Sequence, residues 1–107
     1  MENWLCSFDL ENADEEDYNS IYIKVHKGGG VRFWKNDGKY YRYPSTSFKL
    51  PIDTTDNSNA LDKLEKFLKS CTEKNTPHIA VGGTDVTARS VPVEEEAVPE
   101  EIRELIG

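Results

Sequence analysis

The sequence predicts an α+β domain in which a small antiparallel sheet of four to six strands is covered on one face by one amphipathic helix. Three patterns indicate this class. Residues 20–43 hold aromatic and β-branched runs broken by glycine turns, residues 78–89 repeat that pattern more weakly, and residues 59–73 carry one apolar stripe of helical period. We expect residues 1–91 to form a single α+β domain, followed by an acidic linker and a short C-terminal helix in residues 92–107.

The N-terminal segment predicts a strand followed by a loop. Apolar Trp4, Cys6, Phe8 and Leu10 occupy every second position, which is the period of a half-buried strand. Residues 11–19 contain few apolar side chains and predict a solvated loop. Its acidic cluster lacks the alternating spacing and the glycine of a calcium loop, so we predict no metal site there.

Residues 20–43 predict a three-stranded antiparallel meander, because β-branched and aromatic residues suit a pleated, half-buried surface. The glycines of residues 28–30 would form a loose first turn. Asp37 and Gly38 would form the second, a two-residue turn with positive φ at both positions.

Pairing across the second turn assigns the hairpin side chains to two faces, because directly opposed residues point to the same side. One face carries Arg32, Trp34, Tyr41 and Tyr43. The other carries Val31, Phe33, Lys35, Tyr40 and Arg42. Both faces hold aromatic rings, whereas one helix covers a single face. We therefore expect more ring surface than the core can bury, and this surplus is the main indication of function.

The long helix follows a short strand. Phe48, Leu50 and Ile52 alternate with Lys49 and Pro51, and the proline confines such a strand to a sheet edge. Ser58 is the predicted N-cap of the helix at 59–73. The apolar stripe of that helix consists of Leu61, Leu64, Phe67, Leu68 and Cys71.

Two further elements are predicted after this helix. Residues 78–89 form a candidate hairpin with its turn at Gly82 and Gly83. Pro99 then begins a short helix with apolar side chains on one side, namely Ile102, Leu105 and Ile106. Such a short helix is marginal alone, so it must dock on this domain, on a second copy or on a partner.

Composition and charge limit where the protein can be located and what it can bind. No apolar run approaches the ~20 residues of a membrane span, so we expect a cytoplasmic protein without membrane contact. The net charge of −7 divides into acidic ends and a basic segment at residues 24–49. Either the acidic segments neutralise the basic hairpin, or that hairpin binds a polyanion. Two cysteines are too few for a disulfide scaffold, and we expect both to be buried free thiols.

Catalytic and metal signatures are missing from the sequence. Cys6, Cys71, His26 and His78 lack the local context of a nucleophile–base pair and the short spacing of zinc ligands. We therefore predict no enzyme, no cofactor and no metal.

The leading functional hypothesis is a non-enzymatic regulator or inhibitor that acts through protein–protein contacts. The predicted contact residues are Arg32, Trp34, Tyr41 and Tyr43 with Lys27, Lys35 and Lys39 at the edges of the hairpin face, or Ile102, Leu105 and Ile106 of the tail. The alternative is single-stranded nucleic acid or a small nucleotide on the same hairpin face, since bases stack on aromatic rings while lysines contact phosphates. Self-association into a homo-oligomer is a third hypothesis.

Overall fold

The computed structural model describes residues 2–74, 76–82 and 91–107 and confirms the α+β class. Among these residues the strands are β1 (Glu2–Phe8), β2 (Phe33–Asn36), β3 (Lys39–Arg42), β4 (Phe48–Ile52) and β5 (His78–Gly82). The α-helices are α1 (Glu15–Lys27), α2 (Asn57–Cys71) and α3 (Glu100–Ile106), and a single 3₁₀ turn covers Glu95–Ala97. The predicted single sheet under one helix is corrected, because the strands form two sheets and α1 is a second long helix.

The larger sheet has the strand order β4-β1-β5, with both neighbours antiparallel to β1. Alternate side chains of its strands face the core, and on β1 and β4 these are Trp4, Cys6, Phe8, Phe48, Leu50 and Ile52. The predicted strands at both places are confirmed. β4 is an edge strand, as Pro51 requires.

Helix α1 replaces the predicted first strand of the meander and part of the predicted acidic loop. Its buried residues Ile21, Tyr22 and Val25 follow the i, i+1, i+4 spacing of a helix face. Asp14 caps the first turn by accepting from the backbone N–H of Asp17, whose side chain accepts from Asp14 N–H in return. The acidic residues therefore stabilise the positive end of a helix, and they do not form a solvated loop.

The glycines after α1 end the helix and seat the chain against β4, so the predicted hairpin turn at residues 28–30 is wrong. Gly29 has φ +86°, and a Cβ at Gly30 would lie 2.5 Å from the carbonyl oxygen of Lys49. Only glycine allows this approach. Next to it, Val31 and Lys49 exchange two backbone hydrogen bonds of 2.8 Å.

Strands β2 and β3 form a separate two-stranded hairpin in the predicted register. Phe33 lies opposite Arg42, and Trp34 lies opposite Tyr41. Asp37 has φ 53° and Gly38 has φ 76°, so both turn positions are left-handed as the two-residue turn requires.

Helix α2 lies close to its predicted position, but its N-cap is Asp56 and the predicted Ser58 is inside the helix. The Asp56 carboxylate accepts from Asn59 N–H at 3.0 Å. An ionised carboxylate suits the positive helix end better than a hydroxyl does. The buried stripe is centred on Ala60, Leu64 and Leu68, while Leu61 is 38% exposed and lies outside it.

The C-terminal residues pack on the same chain. Val98 and Ile102 are fully buried members of the hydrophobic core, and α3 contacts α1 and β2. In the described part of the chain, no helix has the length and apolarity needed to cross a membrane. The first strand of the predicted second hairpin is present as β5. Its predicted turn residue Gly83 and its predicted second strand lie outside the described residues.

Candidate functional site

Three rings on one face of the β2–β3 hairpin form a cluster of their own, here called the aromatic cluster: Trp34, Tyr41 and Tyr43. Trp34 stacks on Tyr41 with ring centroids 5.8 Å apart and planes 15° apart, and its centroid lies 5.0 Å from that of Tyr43. None of the three belongs to the contiguous hydrophobic core. Tyr43 is buried, whereas Trp34 and Tyr41 are half-buried. Ring surface of the hairpin therefore remains partly accessible at Trp34 and Tyr41.

A groove of about 400 Å³ lies between the hairpin and the C-terminal helix, and we call it the hairpin–tail groove. Its lining comes from the end of α1, from β2 and from α3: His26, Gly29, Gly30, Val31, Phe33, Trp34, Lys35, Leu105 and Ile106. Leu105 is 52% exposed at this position. The volume is within the range of about 300–1,000 Å³ that is typical of ligand pockets.

The groove joins two sets of residues that the sequence offered as alternatives. Trp34 and Lys35 come from the predicted hairpin surface, and Leu105 and Ile106 come from the predicted tail surface. The Lys35 ammonium donates to the Gly107 backbone oxygen at 3.4 Å, which holds the two elements together. One continuous surface therefore contains members of both sets.

His26 positions the hairpin at the base of this groove. Its Nε2 accepts from the backbone N–H of Arg32 at 3.0 Å and from that of Phe33 at 3.1 Å. Two incoming N–H donors require an unprotonated Nε2. Burial lowers the pKa of His26 to about 4, so the ring stays neutral at physiological pH. The start of β2 is thereby fixed to the end of α1.

The structure separates Arg32 from the aromatic cluster. The Arg32 side chain is buried, with its guanidinium carbon 4.5 Å from the centroid of the Tyr22 ring. Its Nη1 donates to the carbonyl oxygens of Tyr43 and Ser47. Arg32 therefore points to the side of the hairpin that faces α1, away from the hairpin–tail groove.

Three other predicted contact residues, Lys27, Lys39 and Ile102, are not part of the groove lining. Lys27 forms an exposed ion pair of 3.2 Å with Glu101. Lys39 is exposed beside the hairpin turn. Ile102 is fully buried, so it anchors α3 to the core, and the exposed apolar part of the tail is Leu105.

Comparison with family models, with curated proteins and with solved structures finds no significant match. In the described ranges, no three His, Cys, Asp or Glu side chains are grouped as metal ligands. The two thiols are free, Cys6 buried as predicted and Cys71 half-buried. Burial raises the pKa of Cys6 to about 12, which keeps this thiol protonated and unreactive.

A larger polar cavity of about 680 Å³ lies beside the C-terminal end of α2. Two of its lysines are already paired with carboxylates: Lys69 with Glu65, and Lys74 with Asp17, each at 3.0 Å. Three glutamates (Glu11, Glu65 and Glu73) and two lysines line the cavity, so it has no surplus of positive charge, and it contains none of the predicted contact residues.

Sequence reasoning missed three residues that shape the surfaces around the hairpin. The sequence pattern gives His26 no role, yet it holds the hairpin to α1. Tyr22 and Arg42 line a small cavity with Arg32 on the far side of the hairpin. The spacing of Tyr18 and Tyr22, four residues apart, was the available sign that both rings share a helix face.

Proposed function

We propose that this chain is a non-enzymatic binding protein, a small acidic regulator or inhibitor that acts by covering a partner protein's surface. One observation carries the proposal: Trp34 is stacked on Tyr41 outside the core, and it borders a groove that also exposes Leu105. Trp, Tyr and Arg are the residues most enriched at interface hot spots. The accessible part of the rings lies beside an apolar groove, and a partner's side chain in that groove would bury it.

The chemistry of the groove defines the partner segment. Its floor is apolar, from Val31 and Phe33 to Leu105, and Lys35 supplies a positive charge at its rim. The complementary segment would insert an apolar side chain and place a carboxylate beside Lys35. Exposed Lys39, farther along the hairpin, also favours negative charge in the partner segment.

The titratable groups support binding over catalysis. Cys6 is a protonated, buried thiol. His26 Nε2 is already occupied by two backbone donors, so it cannot accept a proton from a substrate without releasing the hairpin. The proposal also places the protein in the cytoplasm, where the free thiols Cys6 and Cys71 would remain reduced.

The test compares two truncations of exposed apolar side chains. The double variant Trp34→Ala and Leu105→Ala removes groove surface, while Leu61→Ala removes an exposed leucine on α2 and serves as the matched control. Affinity purification from the native host should recover a partner with wild type and with the control. The double variant should reduce recovery more than tenfold, as loss of one hot spot does. Equal recovery with both variants would contradict the proposal.

A second candidate is single-stranded nucleic acid or a small nucleotide on the same hairpin. The nearly parallel Trp34–Tyr41 pair offers a flat ring surface; Lys39 belongs to the same face of the hairpin, and Lys35 lies over Tyr40 on the other face. The net charge of −7 opposes such binding at long range. Titration with a labelled oligonucleotide at two salt concentrations separates the candidates, because phosphate contacts require a steep loss of affinity with salt. No binding at low salt would remove this candidate.

Self-association is the remaining alternative for the partner. Among the described strands, β4 and β5 end the strand order of the larger sheet, and Val31 pairs with Lys49 on the side of β4 away from β1. Unpaired backbone groups at such an edge are positions to which a second copy can pair. Sedimentation over a range of protein concentrations tests it. A mass independent of concentration and equal to one chain would exclude a homo-oligomer.

A further inference from the structure

On the far side of the hairpin lies a buried arginine that has no carboxylate partner among the described residues. Arg32 is 4% exposed, and its Nε has no hydrogen-bond partner among the described residues. Its guanidinium contacts two carbonyl oxygens and two ring faces, those of Tyr22 and Phe33. Cation–π contacts recover only part of the free energy that removing an ion from water costs. The positive charge is therefore only partly compensated.

A second, exposed arginine adds positive charge at this cavity. Arg42 lies opposite Phe33 on β3 and lines the same small cavity as Arg32. Burial lowers the pKa of Arg32; the Tyr22 hydroxyl opposes this change, and the nearby Arg42 charge contributes to it. Exposed Glu15 also lines the cavity, but none of the ion pairs within 4.0 Å in the described residues joins it to either arginine.

The cavity surrounds these charges with neutral hydrogen-bonding groups from several segments. It measures about 180 Å³, and its polar lining beyond the charged residues is Tyr18, Asn19, Tyr22 and Thr46. Burial raises the pKa of Tyr22, so its hydroxyl stays protonated. The Tyr18 hydroxyl oxygen accepts from Leu10 N–H at 2.9 Å, which leaves its own hydrogen to donate.

We propose that this cavity is a phosphate site, which takes inorganic phosphate or the terminal phosphoryl group of a small metabolite between Arg32 and Arg42. Two guanidinium groups balance a dianion, and their forked donors match phosphate oxygens. Additional hydroxyl and amide donors suit the several oxygens of a tetrahedral anion better than the two of a carboxylate. The cavity volume corresponds to that of about six water molecules in the liquid, below the range of about 300–1,000 Å³ for drug-sized ligands. The cavity therefore fits the anionic group alone.

The experiment titrates the isotope-labelled full chain with inorganic phosphate at constant ionic strength, adjusted with sodium chloride, and follows backbone amide signals. Saturable shifts are expected at Tyr22, Arg32, Arg42 and Thr46. O-phosphoserine and serine form a second pair of titrations. Saturation by phosphoserine as well as phosphate assigns the site to esterified groups, and saturation by phosphate alone assigns it to the free ion.

Substitution at the edge of the cavity provides the control. Arg42 is exposed at the hairpin surface, so Arg42→Gln should fold and should weaken phosphate binding about 10- to 100-fold, as expected for a lost charge-assisted contact. Lys39→Gln removes the same charge from the same strand outside the cavity, and it should change the affinity less than twofold. Absence of saturable shifts, or equal weakening by both variants, would overturn the proposal.

Discussion

Acidification should release the hairpin from α1 through His26. The Nε2 of this ring accepts from two backbone N–H groups at 3.0 and 3.1 Å, and protonation would turn that acceptor into a third donor. Burial lowers the folded-state pKa from 6.5 to about 4. Between these two values the unfolded chain binds more protons than the folded chain, so stability rises with pH. The contribution is complete above pH 6.5 and is lost as the pH falls towards 4.

The size of the effect follows from this shift. For a fully buried ring, linkage gives a free energy of unfolding that is about 2 kcal/mol lower at pH 5 than above pH 6.5. His26 is partly exposed and lies at the C-terminal end of α1, where a cationic ring is favoured, so we expect about 1 kcal/mol. Without His26 contacts, the β2 wall of the hairpin–tail groove would lose its connection to the helix.

Urea unfolding followed by circular dichroism at pH 7.5 and pH 5 measures this loss. His26→Gln keeps an acceptor without a titratable ring, so its stability should fall less than that of wild type over the same interval. An NMR titration giving His26 a pKa at or above 6.5, or equal pH dependence in His26→Gln and wild type, would refute the reasoning.

Five further substitutions test the packing around the site and the α1 cap, each by its free energy of unfolding. Gly30→Ala should cost about 2–4 kcal/mol, because its Cβ would lie 2.5 Å from a β4 carbonyl oxygen. Gly28→Ala should cost less than about 1 kcal/mol, since its nearest contact would be 3.4 Å; equal costs would contradict the described approach to β4. Ile102→Ala should cost about 2–5 kcal/mol and Leu105→Ala less than about 1 kcal/mol, because only the first is buried. A small loss for Ile102→Ala would show that α3 does not dock on its own chain. Asp14→Ala should cost about 1 kcal/mol through loss of the α1 cap, and an unchanged stability would argue against that cap.

The strands and the second helix were predictable because their patterns have one interpretation. Trp4, Cys6 and Phe8 alternate without a competing helical spacing, and the turn at Asp37 and Gly38 fixes its register by the need for positive φ. These features depend on local geometry, so the sequence alone specifies them.

Helix α1 was not predicted because its residues satisfy two periods at once. Ile21, Ile23 and Val25 alternate as in a strand, and they are β-branched, which favours a sheet. Ile21, Tyr22 and Val25 also fit one helix face, and Asp14 supplies the cap. Tertiary packing and the Asp14 cap select the helix over the strand. The alternating pattern of Ile21, Ile23 and Val25 does not report packing or capping, so it could not reveal this choice.

One part of the candidate site, the aromatic cluster, was predictable from the sequence. Register placed Trp34, Tyr41 and Tyr43 on one face correctly, since pairing across a tight turn is a local property. Pairing did not show that the Arg32 guanidinium would turn towards Tyr22, because Tyr22 had been assigned to a strand. Nor did it show that Leu105 and Trp34 would line one groove, since that depends on where α3 docks.

The most direct measurement of the central claim compares the unfolding free energies of two neighbouring variants by circular dichroism. Phe33 is a buried member of the core, whereas Trp34 is half-buried in the aromatic cluster outside it. Phe33→Ala should cost about 3–5 kcal/mol. Trp34→Ala should cost only about 1–2 kcal/mol, mainly through its ring contacts, and leave the fold intact. If Trp34→Ala is as costly as Phe33→Ala, the Trp34 ring belongs to the folded interior and is not a surface kept for a partner.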